Sequence, residues 1–170
     1  MNQLSKATLL VAVLSAPSVL MAAPSKEETY NFLKDKLSFT KSEPGTKAIY
    51  STAQSNDYCT LSHESKVYLY KYTQDVAYTM TSTIDLSTLN PDKVSDSTRA
   101  GQPTVELETR DKKELISMEF INNPAYNNRG TQLVMSERSN FYVKNREDAE
   151  KSVRAFKHLA LLCGAKQDLF

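Results

Sequence analysis

Two cysteines and two histidines are among the side chains of this sequence that could supply a nucleophile or a metal site. Cys59 and His63 lie four residues apart in "DYCTLSH", and His158 precedes Cys163 in "HLALLCGAK". Four residues of strand span about 13 Å, too far for two ligands of one ion, and no second Cys or His pair is available. We therefore predict no metal site and interpret His63 as a loop residue.

Cys163 belongs to a helical stripe, because the spacing of its apolar neighbours is four, three, four and three. That stripe contains Ala149, Val153, Phe156, Ala160 and Cys163. His158 falls on the opposite side of the helix. A catalytic thiolate needs an electropositive, partly exposed setting with a base at hand. We therefore expect Cys163 to face the sheet and to perform no catalysis.

The first 22 residues have the layout of a cleavable secretory signal. Lys6 precedes an apolar run from Ala7 to Leu14 that is too short to span a bilayer, and small residues surround Ala22. Cleavage is predicted after Ala22, because cutting one residue later would place Pro24 directly beyond the scissile bond. The expectation is a signal peptide at 1–22 and a single globular domain at 23–170, periplasmic or secreted.

Export makes a Cys59–Cys163 disulfide the favoured interpretation of the two cysteines, since an even count in an oxidising compartment indicates pairing. The alternative is two unpaired cysteines that behave as small core hydrophobes. The predicted bridge would tie an early strand to the C-terminal helix.

Charge and motif content exclude several functions. The signal contains one of the 21 Lys and Arg and none of the 20 Asp and Glu, so 20 of each remain and the formal net charge is zero. That balance provides no basic surface for nucleic acid. There is no second apolar run of membrane-spanning length, no nucleotide or cofactor motif and no hydrolase motif. We predict no cofactor and no enzymatic activity; in "TVELET", alternation places Glu106 and Glu108 on a wetted strand face.

A tyrosine-rich stretch, "KVYLYKYTQDVAY", is the strongest candidate for binding. Alternation places Tyr68, Tyr70 and Tyr72 on one face of a strand. Tyrosine offers a broad contact surface with a polar tip, which suits recognition of a ligand or partner. Ordinary cross-strand aromatic packing explains the same pattern. The loops around Asn90 and Asn127 are further predicted contact surfaces.

Two helices are predicted to flank a run of strands. Ser25 and Glu28 form a capping box for a helix that ends near Ser38, and Asn145 and Gly164 are the expected ends of the second, more deeply buried near its C-terminus. Between them, alternation predicts eight strands. They are Lys47–Ser51, Tyr58–Ser62, Lys66–Tyr72, Val76–Asp85, Thr104–Arg110, Glu114–Ile121, Thr131–Ser136 and Asn140–Val143.

Turn-forming residues predict the connections. "SEPGT" breaks the chain after the first helix, "HESK" turns between the second and third strands, and "DKK" turns between the fifth and sixth. "LSTLNPDKVSDSTRAGQP" and "INNPAYNNRGT" are predicted as longer loops. The expected fold is α+β: an N-terminal helix, an antiparallel sheet or half-open barrel of about seven strands, and a C-terminal helix packed on it.

This order resembles the pleckstrin-homology-like superfold, in which a helix closes a bent sheet. "TIDLSTLNPDKV" and "VRAFKHLALLCG" are also similar to segments of small exported bacterial domains of unknown function. The resemblance implies architecture only, since fold does not determine function. The predicted function is a non-catalytic exported binding or interaction protein, for example an inhibitor or immunity protein. The alternative is a carrier of a small apolar ligand, and a cell-envelope hydrolase ranks third.

Overall fold

A computed structural model describes residues 22–69, 76–122 and 130–167, with the backbone alone for Val76 and Ala77. It contains two α-helices, three short 3-10 helices and nine strands among these residues. The α-helices are α1 (Lys26–Leu37) and α2 (Arg146–Leu162); the strands are β1 (Phe39–Glu43), β2 (Thr46–Thr52), β3 (Thr60–Leu69), β4 (Val76–Asp85), β5 (Ser95–Arg99), β6 (Gln102–Glu108), β7 (Ile116–Ile121), β8 (Thr131–Ser136) and β9 (Arg138–Tyr142). The predicted signal peptide lies outside the described residues, except for Ala22.

Helix α1 begins as its sequence predicts. The Ser25 hydroxyl accepts from the Glu28 N–H, and the Glu28 carboxylate accepts from the Ser25 N–H, which satisfies two donors of the first turn. Tyr30, Leu33 and Leu37 are fully buried on one face. The Tyr30 hydroxyl donates to the carbonyl oxygen of Ala53 at 2.7 Å and so attaches the helix to the sheet.

Six strands form one antiparallel sheet in the order β1-β2-β3-β4-β7-β8. Pro44 and Gly45 close the β1–β2 hairpin, and the φ of +80° at Gly45 suits the second central position of a type II turn. The predicted turn at "HESK" is wrong, because residues 63–66 lie inside the ten-residue strand β3. Cross-strand pairing on both sides of β3 holds this polar segment extended.

The remaining three strands form a second sheet in the order β5-β6-β9. Strand β5 lies within the segment predicted to be a long loop. A two-residue turn of Ala100 (φ +49°) and Gly101 (φ +75°) joins it to β6, which is type I′ geometry. A strand of five mostly polar residues, "SDSTR", has no apolar alternation that would reveal it.

Helix α2 has the predicted ends. The Asn145 side chain accepts from the Asp148 N–H, and Gly164 adopts φ +94° beyond the last turn. The Ala165 N–H reaches the carbonyl of Ala160, which completes a Schellman-type stop. The prediction that α2 is buried more deeply toward its C-terminus is wrong for the final turn, since Leu161 and Leu162 are 42% and 41% exposed.

One core unites both helices and both sheets. Its members include Leu33, Leu61, Leu107, Phe141 and Phe156, each essentially inaccessible to water. The chain is therefore an α+β domain with a helix at each end of an antiparallel framework, as the sequence predicts. The predicted number of about seven strands is lower than the nine observed among the described residues. The short polar strands β1 and β5 were not predicted, because their sequences do not alternate apolar and polar residues.

The three-stranded sheet divides the interior in two. Phe141 and Tyr142 are consecutive in β9, so their side chains leave opposite faces of that sheet. Phe141 enters the core and stacks on Phe156 of α2 at a ring-centre distance of 6.0 Å. Tyr142 instead approaches Tyr50 of β2 at 5.5 Å. The helices thus cover one part of the six-stranded sheet and leave another part open.

Candidate functional site

Cys59 and Cys163 form a disulfide bond with a Cα–Cα distance of 5.6 Å. Cys59 directly precedes β3, and Cys163 is the C-terminal cap of α2. Cys163 was expected in the middle of the buried stripe, yet it is only partly buried because it sits at the end of the helix. Neither cysteine is a free thiol. The bond joins two segments 104 residues apart in the chain and supplies no nucleophile.

His63 is a core residue, which corrects its interpretation as a loop histidine. It is 1% exposed on β3, and its Nδ1 lies 3.1 Å from the hydroxyl oxygen of Thr52. Its ring stacks against Tyr50 and meets the edge of Phe141. Burial lowers the pKa of His63 to about 4, so the imidazole is neutral at pH 7.

Neither histidine is placed as a general base for an accessible nucleophile. Ser82 lies directly opposite His63 on β4, but its buried hydroxyl has no hydrogen-bond partner among the described residues. His158 is partly buried on α2, and its Nε2 lies 2.8 Å from the carbonyl oxygen of Pro24. Both rings therefore have structural contacts.

A cavity of about 350 Å³ opens between the two sheets and is the principal candidate site. We call it the tyrosine cavity. Its floor is the inner face of β2, β3 and β4, with Ala48, Val67 and Met80. Tyr142 of β9 and the Arg99–Gln102 turn between β5 and β6 form the opposite wall. The volume is at the lower end of the range of small-molecule sites.

Three tyrosines from three strands give the cavity its character: Tyr50, Tyr78 and Tyr142. Tyr50 is 7% exposed and its ring stacks on Phe39 at 4.6 Å. Burial, with smaller effects from Tyr142, Tyr78 and Glu43, raises the pKa of Tyr50 to about 12. Burial likewise raises the pKa of Tyr78. These phenols stay protonated at neutral pH and can donate hydrogen bonds.

Charged side chains lie at the rim of the tyrosine cavity. Lys41 and Glu43 are two residues apart on β1, and the Lys41 Nζ lies 2.7 Å from a Glu43 carboxylate oxygen. Arg99 lines the same opening from the end of β5. No carboxylate of the described residues lies within ion-pair distance of Arg99, so the rim has an excess of one positive charge.

Tyr68, the one described residue of the predicted tyrosine face, does not line this cavity. Tyr68 pairs with Lys47 on the outer side of the sheet beyond a register shift at Val67, and it is half-buried. Tyr70 and Tyr72 lie outside the described residues. A binding role for this face stays a prediction. Tyr78 ends the tyrosine-rich stretch of the sequence, but the sequence did not group it with Tyr50 and Tyr142, because each of the three is the single tyrosine of its own strand.

The two predicted contact loops differ in outcome. Asn90 is 7% exposed, and its side-chain oxygen accepts from the Asp92 N–H as the cap of a short 3-10 helix. It is therefore a structural cap and not an exposed contact. Asn127 lies outside the described residues. Glu108, expected on a wetted face, is 9% exposed because Arg138 covers it, with Nη2 2.6 Å from Oε2.

Comparisons with family models, curated proteins and solved structures find no match for this chain. Within the described ranges there is no group of three or more His, Cys, Asp or Glu that could hold a metal ion. No helix in those ranges is long and apolar enough to cross a membrane. The disulfide is compatible with an extracytoplasmic location. The function must be argued from the site itself.

Proposed function

We propose that the protein is a non-catalytic, exported binding protein that holds a small ligand in the tyrosine cavity. The observation that carries this proposal is an open, partly apolar cavity in which the hydroxyls of Tyr50, Tyr78 and Tyr142 form no hydrogen bond with another described residue. Pockets of this kind, mostly apolar with a few convergent polar groups, are typical of ligand sites. The wall has both polar and apolar side chains, so an amphipathic ligand fits better than the small apolar ligand of the alternative prediction.

The placement of the reactive side chains supports a non-catalytic role. The cysteines are bonded to each other, His63 is sealed in the core, and His158 contacts the backbone of Pro24. A nucleophile and its base must lie within hydrogen-bond reach and face a substrate. The tyrosine cavity contains neither a histidine nor a cysteine among its lining residues.

Native mass spectrometry and probe titration test the proposal together. The mature protein, purified without denaturation, is examined for bound mass and then titrated with 2-naphthoate, 2-naphthamide and 2-naphthyltrimethylammonium. Ala48→Phe fills the floor of the cavity and should abolish binding. Ile49→Phe is the matched control, because the next residue of β2 points away from the cavity toward Thr40 and Lys66.

Binding that Ala48→Phe removes and Ile49→Phe preserves would support the proposal. Circular dichroism and thermal unfolding must show that both variants fold. The proposal fails if the protein carries no bound mass and none of the three probes binds in a manner sensitive to Ala48→Phe.

The edge strand β8 favours a second candidate, docking of an extended segment of a protein partner. The other sheet edges contain charges, in β1, β5 and β9, whereas β8 reads "TQLVMS". Leu133 is 66% exposed and Met135 43% exposed on its outer face. Natural edges are usually protected by charge or proline, and an uncharged edge with exposed apolar side chains suits strand addition.

Site-specific photo-crosslinking tests this candidate in the producing cell. A benzoylphenylalanine at position 133 should yield a discrete adduct, and the same probe at Thr40 on the opposite edge should not. Hydrogen exchange of the adduct should show new protection of the β8 amides. Equal crosslinking from both positions would contradict docking at β8.

A further inference from the structure

The charges that line the tyrosine cavity define which ligand it suits. Lys41 and Glu43 neutralise each other as a close ion pair. Arg99 has no such partner in the part of the chain that the structure describes, and it occupies the last position of β5, paired with Gln102 across the turn. A guanidinium presents donors in a planar fork that matches carboxylate or phosphate oxygens. Arg99 therefore supplies the net positive charge of the cavity, and its guanidinium is a group that recognises oxyanions.

Tyr50 supplies an independent indication that the cavity holds a polar ligand. More than nine-tenths of this residue is buried, and it lines the cavity floor beside Ala48. Its hydroxyl forms no hydrogen bond with another described residue. The oxygen is not one of the fully buried polar atoms that lack a partner, so it is accessible from the cavity, where a tyrosine hydroxyl usually finds a hydrogen-bond partner. A ligand atom in the cavity would supply that partner.

We infer that the ligand is a small amphipathic oxyanion, with a carboxylate or phosphate headgroup at Arg99 and a flat apolar body between the tyrosine rings. This inference rests on the proposed function and names its ligand class. Arg99 binds the headgroup, and Met80 and Val67 contact the body. Tyr50 donates a hydrogen bond to a polar atom of the ligand.

A cluster of aromatic rings also suits the opposite charge, since tyrosines form cages for quaternary ammonium groups. Such cages attract the cation to the negative faces of the rings. Here the carboxylate that could assist, Glu43, is already paired with Lys41. Arg99 at the same opening would repel a cation. The sign of the preferred ligand charge therefore separates the two models.

Calorimetric titration with probes of one shape and different charge tests the inference. The probes are 2-naphthoate, 2-naphthyl phosphate, neutral 2-naphthamide and 2-naphthyltrimethylammonium, each in 20 mM and 200 mM salt. An anion should bind at least about tenfold more tightly than the amide, because hydrogen bonds between two charged groups are stronger than those to a neutral group. The tighter of the two anions assigns the headgroup. Binding of the anions should weaken at the higher salt concentration.

Arg99→Gln is the decisive variant, because it removes the charge from an exposed turn residue without disturbing the core. It should weaken anion binding about tenfold or more and leave amide binding within twofold. Lys93→Gln changes the same charge at an exposed position outside the cavity and should leave both affinities unchanged. Tyr50→Phe keeps the ring and should weaken binding of the anions severalfold.

The outcomes separate this inference from the proposed function. Equal binding of anion and amide, or unchanged anion binding in Arg99→Gln, overturns the oxyanion assignment and leaves the binding function intact. Preferred binding of the ammonium probe overturns it in favour of a cation cage. If none of the four probes binds and no bound mass is found, both the assignment and the proposed function fail.

Discussion

The two ends of the inner face of the six-stranded sheet have different roles. At one end, which we call the helix-covered end, Leu61, Ile84 and Ile116 are essentially inaccessible under the two helices. At the other end, Ala48, Val67 and Met80 line the tyrosine cavity. The same strands β2, β3 and β4 contribute at or near both ends. The alternation of side chains along a strand therefore does not decide whether an inward-facing residue belongs to the closed core or lines the tyrosine cavity.

Phe141 and Tyr142 show what separates the two ends. They are neighbours in β9, yet one is fully buried and the other lines the cavity. The helix-covered end is mainly apolar, with residues such as Phe156 and Leu159, because a polar atom there needs a protein partner, as the Tyr30 hydroxyl has in the carbonyl of Ala53. The cavity is lined by tyrosine, whose ring packs while its hydroxyl stays available. Stability and binding should therefore respond to different substitutions.

Removal of the disulfide should have the largest effect on stability and a small effect on the cavity. The bond closes a loop with a sequence separation of 104, for which chain entropy gives about 4–5 kcal/mol. We expect Cys59→Ser/Cys163→Ser to lose up to that much unfolding free energy in urea. Reduced wild-type protein is the control and should unfold at the same denaturant concentration. Unchanged stability in the double variant would contradict the prediction.

Substitution of the neighbours in β9 tests the comparison most directly. Phe141→Ala should lower the unfolding free energy by about 3–5 kcal/mol, because it leaves a cavity in the closed core. Tyr142→Ala opens a site that is already partly solvated, and its effect should be at least about 2 kcal/mol smaller. Chemical denaturation of both variants measures the difference. Equal losses would show that the cavity wall is as tightly packed as the core.

His63 should make stability depend on pH. The folded protein protonates it only near pH 4, whereas the unfolded chain does so near 6.5, so the unfolded state binds more protons between these values. The unfolding free energy should fall by about 2 kcal/mol from pH 7.5 to 5 and by about 3 kcal/mol at pH 4. His63→Gln should flatten this dependence in denaturation curves at each pH.

The pH range separates His63 from the carboxylates. Hydrogen bonds from the Ser55 hydroxyl and from the Cys59 and Thr60 N–H groups lower the pKa of Asp57 to about 2. Its stabilising contribution is present above its ordinary pKa and is lost as the pH falls toward 2. If the unfolding free energy of His63→Gln still falls between pH 7.5 and 5 as it does in the wild type, another group is responsible for the pH dependence.

The turn that positions Arg99 should give the smallest effect. Ala100 adopts φ +49°, a left-handed conformation that is costly for alanine and favoured by asparagine or glycine in type I′ turns. Ala100→Asn should raise the unfolding free energy by about 0.5–1 kcal/mol. Gly101→Ala, at φ +75°, should lower it by about 1–2 kcal/mol, because alanine is strained in this conformation. Thermal unfolding of both variants checks the opposite signs.

Strong local patterns were predictable, and weak ones were not. The capping box at Ser25, the Asn145 cap and the strands β4 and β8 follow from the sequence with the same bounds or caps. The turn at "HESK" was wrong, because four polar residues resemble a loop unless neighbouring strands hold them extended. The tyrosine cavity was missed, since its three tyrosines are far apart in the chain and meet only when the sheets pack.

The sequence by itself determined the helix ends and the existence of most strands, and it favoured export and the pairing of the two cysteines. Each of these depends on local backbone chemistry or on composition. Only the tertiary structure decided that His63 is buried and that Tyr50, Tyr78 and Tyr142 converge beside Arg99. The physical reason is that burial and convergence depend on contacts between distant strands. Alternation along a strand predicts which of its side chains face inward, but the packing of the second sheet decides which residues those side chains contact.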